Sequence, residues 1–434
     1  MILLRKFAFG LFASVYFLSF LQRVAISVVA GELSTEIGLG SVALGFMSSG
    51  FFIAYALAQP VIGLLADKAG PERVSAGALV IAALGSFMFA GARGFATAFT
   101  GRILMGMGLA AGFIPGMKVI AALYPAEAFS TFNGLFVAIG NAGSLVGAAP
   151  LAWLTSMAGW RVVFTALAVA AVVLAAFCWA FAAKRPAGAA LDAHPDSDTP
   201  LGSSGDVVRS YRLWLVAAFL FAKYGSQVAL QGLWGVPYMS SVYGISPTQA
   251  AGAVTMVATG YVVTAPLLGR LADIMTHRGM NLTAAQRLLL VITTSVYVAT
   301  WVPIVLAPGL LPLGAMYVLL FIMGMSVSSA SLSFGIVKDL FPSNVSGIAS
   351  GLVNISSILG GAAMPPIVGW IIQRRMAAGF DGSGLYAVSL WPCLLAAAAS
   401  LLFISLVVPP DHSKPALRRA SSTNGRNLPP PYER

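Results

Sequence analysis

The sequence predicts an all-α membrane protein of twelve transmembrane helices in two pseudo-symmetric six-helix bundles. Three observations carry this. The 434-residue chain is 58% hydrophobic and only 9% charged, against about 25% charged in soluble domains, so polar groups cannot cover its surface. Apolar stretches of about 20 residues, enough to cross about 30 Å of hydrocarbon, recur throughout, and none alternates like a barrel strand. Finally, the chain repeats itself. Pro60-Val-Ile-Gly63-Leu-Leu65-Ala66-Asp67 returns 206 residues later as Pro266-Leu-Leu-Gly269-Arg270-Leu271-Ala272-Asp273, and the same offset sets Tyr55 on Tyr261. An offset of 217 sets Leu123-Tyr-Pro125 on Leu340-Phe-Pro342, Gly134 on Gly351 and Gly143 on Gly360.

The first bundle, 1–182, is expected to hold helices over roughly 8–30, 42–65, 74–92, 97–123, 131–153 and 161–182. Arg23 inside the first run, and the many later spans, favour a retained helix over a cleaved signal peptide. A Pro-, Gly- and Ser-rich stretch without periodicity, 183–212, reads as a linker. The second bundle, 213–408, is expected to span roughly 213–234, 248–270, 287–307, 312–340, 345–371 and 385–408. A polar, Arg-rich tail, 409–434, is expected to be disordered.

Charge placement sets the orientation. Only Arg93, Arg161, Arg374 and Arg375 fall in one set of loops, and Arg23, Arg102, Lys118 and Lys223 fall within spans. The rest of the 25 Lys and Arg lie in the other set with the termini, which are therefore expected in the cytoplasm. The formal charge of +11 is thus the mark of cytoplasmic loops facing a lipid bilayer, not of a nucleic-acid partner. Cys178 and Cys393 lie inside apolar runs and read as small buried hydrophobes. Gly108-x3-Gly112-x3-Gly116 and Gly347-x3-Gly351 put glycines on one helix face, as close helix approach requires. No metal-ligand cluster, nucleophile–base pair or phosphate loop stands out, so neither an enzyme nor a cofactor is expected. His194, His277 and His412 all lie in loops or tail.

In the repeated motif, Gly63 and Gly269 are read as allowing helices to approach. Asp67, at a helix end, can accept hydrogen bonds from an adjoining helix N-terminus or pair with a base such as Lys68, Arg73 or one across the bundle interface, and Asp273 is read as its counterpart. Such contacts, made only while the cytoplasmic side is closed, would bias a conformational equilibrium. Gly63-Leu-Leu-Ala66-Asp67-Lys68-x-Gly70-x-x-Arg73, its shortened copy ending at Asp273, and Arg102-x3-Gly106-x-Gly108 resemble the signatures of the major facilitator superfamily. The resemblance covers residues 7 to 408. It implies two bundles facing each other across a central cavity, with substrate near the midplane and access alternating by rocking.

Four basic residues lie within the spans. Arg23 and Lys223, on helices one and seven, are 200 residues apart, and each costs roughly 2.5–3.5 kcal/mol at the bilayer centre. Arg23 shares a face with Ser19 and Ser27; Lys223 shares one with Gln227 and Gln231 and adjoins Tyr224. In the superfamily both helices line the cavity. No Asp or Glu is expected at that depth, so the cavity should be net positive and its counter-ion an anionic substrate. The cation pair resembles that of the organophosphate:phosphate antiporter and anion:cation symporter groups. Arg offers a planar fork to carboxylate or phosphate, and Lys a mobile point charge.

Tyr55, Tyr261, Asn141, Asn354 and Lys118 are further candidate ligands, with Gln22 and Tyr16 behind them. Arg102, Lys338 and Asp339 join Gly63, Asp67, Arg73, Gly269 and Asp273 as candidate gate residues. The expectation is a monomeric secondary active or facilitative transporter of small organic anions, carboxylates or phosphate esters, in a bacterial inner membrane. Exchange or facilitated diffusion fits better than carboxylate-based proton symport, and proton coupling through the substrate or a shifted lysine stays open. The alternatives are a proton-driven exporter of the same fold and a non-transporting receptor or scaffold.

Overall fold

The computed structural model describes residues 2–183 and 204–407, helical almost throughout and with no strand among them. The expected tail and most of the linker lie outside these residues; within the linker a short helix, Ser204–Arg209, leads into the second half. The first six spans are α1 (Ile2–Ile37), α2 (Ser41–Ala69), α3 (Pro71–Ala90), α4 (Phe95–Leu123), α5 (Ala126–Val146 continued by Ala149–Ala158) and α6 (Trp160–Ala183). The second six are α7 (Tyr211–Tyr243), α8 (Pro247–His277), α9 (Leu282–Leu306), α10 (Leu313–Leu340), α11 (Ser343–Ala377) and α12 (Gly382–Leu406). Eleven are long and apolar enough to cross a bilayer by themselves, and α5, bent by 40°, makes the twelfth.

Several helices outrun their apolar cores. Asp67 and Asp273 remain on the last turns of α2 and α8 rather than in loops, because backbone hydrogen bonds continue past the hydrocarbon edge. The turn from α2 to α3 is Gly70 alone. Its φ of +88° suits a residue without Cβ, and Pro71 then starts α3 with a preset φ.

Packing inside each half follows the repeat. Gly106 of α4 lies on the Phe51 carbonyl of α2, and Gly324 of α10 on the Val257 carbonyl of α8. Gly143 of α5 lies on the Phe17 carbonyl of α1, and Gly360 of α11 on the Phe221 carbonyl of α7. Phe51 and Val257 differ by the same 206 residues as the opening motif, and Gly143 and Gly360 by 217. Lipid tails are as apolar as leucine, so close packing holds these helices together where a hydrophobic drive is missing. The motif glycines, in contrast, make no close approach. A Cβ at Gly63 would meet only the Ile114 side chain at 3.9 Å, and Gly269, Gly347 and Gly351 face open space. Backbone approach depends on what the facing helix offers, and at these four positions no neighbouring backbone lies within 4 Å of the added Cβ.

The halves meet mainly on the side away from the termini. Ser27 Oγ donates to the Leu233 carbonyl at 3.0 Å, Ala149 N to Thr255 Oγ1 at 3.2 Å, and Val42 N to Gln373 Oε1 at 3.4 Å. Gly45 sits on the backbone of Pro365 and Pro366, and Gly369 on Ser41. Toward the termini the same helices diverge and enclose a cavity.

These contacts predict that Gly324→Val, whose Cβ would overlap the Val257 carbonyl, costs 3 kcal/mol or more and lowers the unfolding temperature in detergent sharply. Gly134→Ala, with nothing within 4 Å of its added methyl, should leave that temperature unchanged or raise it slightly.

Candidate functional site

The cavity measures about 760 Å³ and is lined by α1, α2, α4, α5, α7, α8, α10 and α11 alone. It reaches from Gln231 and Ser144, under the inter-half seal, to Lys338 and Gly347 on the side of the termini. Among its described lining residues are three bases, Arg23, Lys223 and Lys338, and no Asp or Glu.

Arg23 and Lys223 are held differently. The Arg23 guanidinium is stacked, with its carbon 4.3 Å from the Phe20 ring centre and 4.5 Å from that of Tyr55. Nη1 donates to the Tyr224 hydroxyl across the inter-half boundary at 3.5 Å, while Nε is buried without an acceptor. Nη2 makes no hydrogen bond among the described residues and is not among the sealed atoms, so it is the donor that Arg23 leaves open to the cavity. Lys223, 1% exposed, borders the cavity, but its ammonium turns to the core of its own half. There it donates to Thr294 Oγ1 at 3.0 Å and Ser329 Oγ at 3.1 Å, beside the Tyr297 ring. Ser329 opens a short 3-10 turn in α10, and Thr293 also donates to its hydroxyl at 2.7 Å. The expectation that both cations grip a ligand alike thus meets a structure in which, of the two, Arg23 keeps a nitrogen open to the cavity, whereas hydroxyls on α9 and α10 accept two of the three Lys223 N–H groups.

Tyr55 and Tyr261 both line the cavity, as do Asn141, Asn354, Gln227 and Gln231. The amides are partly engaged: Gln227 Nε2 donates to Gln231 Oε1 at 3.0 Å, Asn141 Nδ2 to the Val137 carbonyl at 2.9 Å, and Asn354 Nδ2 to Gln59 Oε1 at 3.3 Å. Gln231 is carried on a π turn, Leu230–Trp234, a distortion that often marks functional sites. Sequence reading missed Gln59, Phe20 and Phe52, whose polar or aromatic character is unremarkable in an apolar helix. Gln22, named as a weaker ligand, instead hydrogen-bonds Ser86, while Tyr16 does line the cavity.

Lys118 does not line it. Its ammonium donates to the Gly63 carbonyl at 2.9 Å and pairs with Asp67, within one half and while the cavity is open on that side. The Asp67 contact therefore does not need closure, contrary to expectation. Asp339 accepts from Thr283 Oγ1, which leaves the neighbouring Lys338 at the cavity mouth. Arg73 and Asp273 are exposed at helix ends. Arg102, fully buried in the first half, donates to the Gln22 carbonyl at 3.0 Å and the Met47 carbonyl at 3.4 Å, and so ties α4 to α1 and α2.

Solved structures share this architecture. A bacterial homologue of the human lysosomal transporter Spinster, in an inward-facing and occupied conformation, matches with a TM-score of 0.71 at 18% identity, over 93% of this chain and 96% of that one. A D-xylose–proton symporter matches with 0.70 at 15% identity, over 94% and 99%. Among curated proteins, the probable galactarate/D-glucarate transporter GudP of Escherichia coli (strain K12) is 23% identical over 84% of this chain and 86% of its own length. A putative tartrate transporter of Agrobacterium vitis is 24% identical over 92% and 93%. Residues 12–233 and 224–430 each match the family's sequence profile. With twelve spans, two repeated halves and a cavity between them, the chain belongs to the Major Facilitator Superfamily.

Proposed function

We propose that this multi-pass membrane protein transports small organic acids as their carboxylates by alternating access, one half rocking against the other. The observation that carries the reading is Arg23: a guanidinium held over two aromatic rings with its Nη2 unbonded, in a cavity whose described lining residues include no carboxylate. An uncompensated charge in a low-dielectric setting is costly, and an anion supplies the missing partner through a charge-assisted, planar contact. Proteins named as galactarate/D-glucarate and tartrate transporters support carboxylate over phosphate ester and make hydroxylated diacids the first candidates. Lys223, Lys338 and the amides add positive potential and hydrogen-bonding capacity around the same space.

The charge asymmetry of the loops supports termini in the cytoplasm of a bacterial inner membrane. The open side of the cavity then faces the cytoplasm. The Asp67–Lys118 pair, joining α2 to α4 beside that opening, is read as a brace that keeps the inner end of the first half rigid as it rocks. The working unit is taken to be the monomer, since one chain encloses the whole cavity.

In detergent or proteoliposomes, Arg23→Ala should weaken carboxylate binding at least ~30-fold, the 2 kcal/mol or more of a lost buried charge contact. Arg23→Lys should recover little of it. Normal uptake by both variants would refute the assignment. Lys223→Met, isosteric and already turned aside, should cost about tenfold or less by loss of potential while protein yield is kept. Asp67→Asn should slow turnover and leave the dissociation constant within about twofold, as an exposed pair contributes at most about 1 kcal/mol. A Kd raised tenfold with unchanged turnover would contradict the brace.

A further inference from the structure

We propose that Gln59 and Asn354 select hydroxylated over plain carboxylic acids by trading the bond they make to each other for bonds to a ligand hydroxyl. The inference rests on the organic-acid reading of the same cavity. The two residues come from opposite halves, α2 and α11, and both line the cavity. Asn354 Nδ2 donates to Gln59 Oε1 at 3.3 Å, toward the long end for an N–H···O bond.

Their other valences are unspent. Gln59 is buried as a residue and Asn354 half-buried, yet neither the Gln59 amide nitrogen nor the Asn354 oxygen is among the sealed polar atoms without partners. Both open to the cavity. The pair therefore offers donors and an acceptor together, the combination a hydroxyl uses and a carboxylate, which only accepts, does not.

Placement adds a second argument. Gln59 lies one turn from Tyr55 on the same face of α2, and the Tyr55 ring carries the Arg23 guanidinium. A carboxylate on the free edge of Arg23 sets its neighbouring carbons toward this pair. The bond also stands where α2 and α11 part. From Ser41 and Gly369 down to Gly45 and Pro366 the helices touch, whereas Gly351 and Gly347, beyond Asn354, meet nothing within 4 Å. A hydroxyl inserted there replaces one long bond at an opening seam and disturbs no packed interface.

A site built solely for a hydroxyl rejects the analogue lacking it by ~10⁴–10⁵, because its polar groups are then orphaned. Here a plain acid leaves the two amides bonded to each other, so the expected discrimination is about tenfold to a hundredfold.

The test measures dissociation constants of the purified full-length protein for tartrate against succinate, lactate against propionate, and gluconate against hexanoate. Wild type should favour the hydroxylated member of at least one pair tenfold or more. Gln59→Leu and Asn354→Leu should each bring that ratio within threefold of unity, and the double variant should go no further. The exchanged pair, Gln59→Asn with Asn354→Gln, should restore it, which a merely structural loss would not permit. A ratio unchanged in either leucine variant, or no preference in wild type, overturns the proposal. Binding of monoacids alone would end the preference for diacids and leave this ratio readable on lactate and propionate. Binding of none of these acids would sink both readings.

Discussion

Positive charge at lipid depth, with no carboxylate among the described residues lining the cavity to meet it, is the constraint on which the rest of this structure depends. The protein meets it in three ways. Arg102 turns Nε and Nη1 to backbone carbonyls inside the first half and leaves Nη2 buried there, and Lys223 turns two of its N–H groups to hydroxyls inside the second. Arg23 lies over the Phe20 and Tyr55 rings and gives one nitrogen to Tyr224. Of the three, the last faces the shared space with an unbonded Nη2, which is why the proposed anion site is placed there.

A cation held this way must sit on a scaffold that does not relax around it. The four carbonyl-on-glycine contacts, two in each half and related by the repeat, fix α1 to α5, α2 to α4 and their counterparts at backbone distance. Such packing suits the proposed rocking, in which each half would move as a body about the seam between them. Along that seam the contacts are hydrogen bonds and small residues on one side, and space on the other. The Arg23–Tyr224 and Asn354–Gln59 bonds cross it near its middle, so ligand contacts there and the relative position of the halves are physically linked.

Much of this was legible in the chain. A constant offset between two copies of a motif implies two copies of a bundle, and the superfamily resemblance followed from the same residues. Hydropathy placed all twelve spans, although the helices continue beyond their apolar cores. Arg23 could be singled out because a guanidinium in an apolar run has few bland explanations. Less was legible about direction. Lys223 shares a face with Gln227 and Gln231, yet its long flexible stem carries the ammonium away from them. Lys118 finds Asp67 on a neighbouring helix of its own half, a pairing that no spacing reveals.

The sequence by itself determined the spans, the duplication, the depth of the charges and the want of acid among them, because these follow from composition and order along one dimension. The tertiary structure decided which cation keeps a free donor, which glycines bear a neighbouring backbone, and which two amides meet across the halves. Those outcomes depend on rotamers and on partners hundreds of residues distant, where differences of a few ångströms choose between a structural bond and an open site.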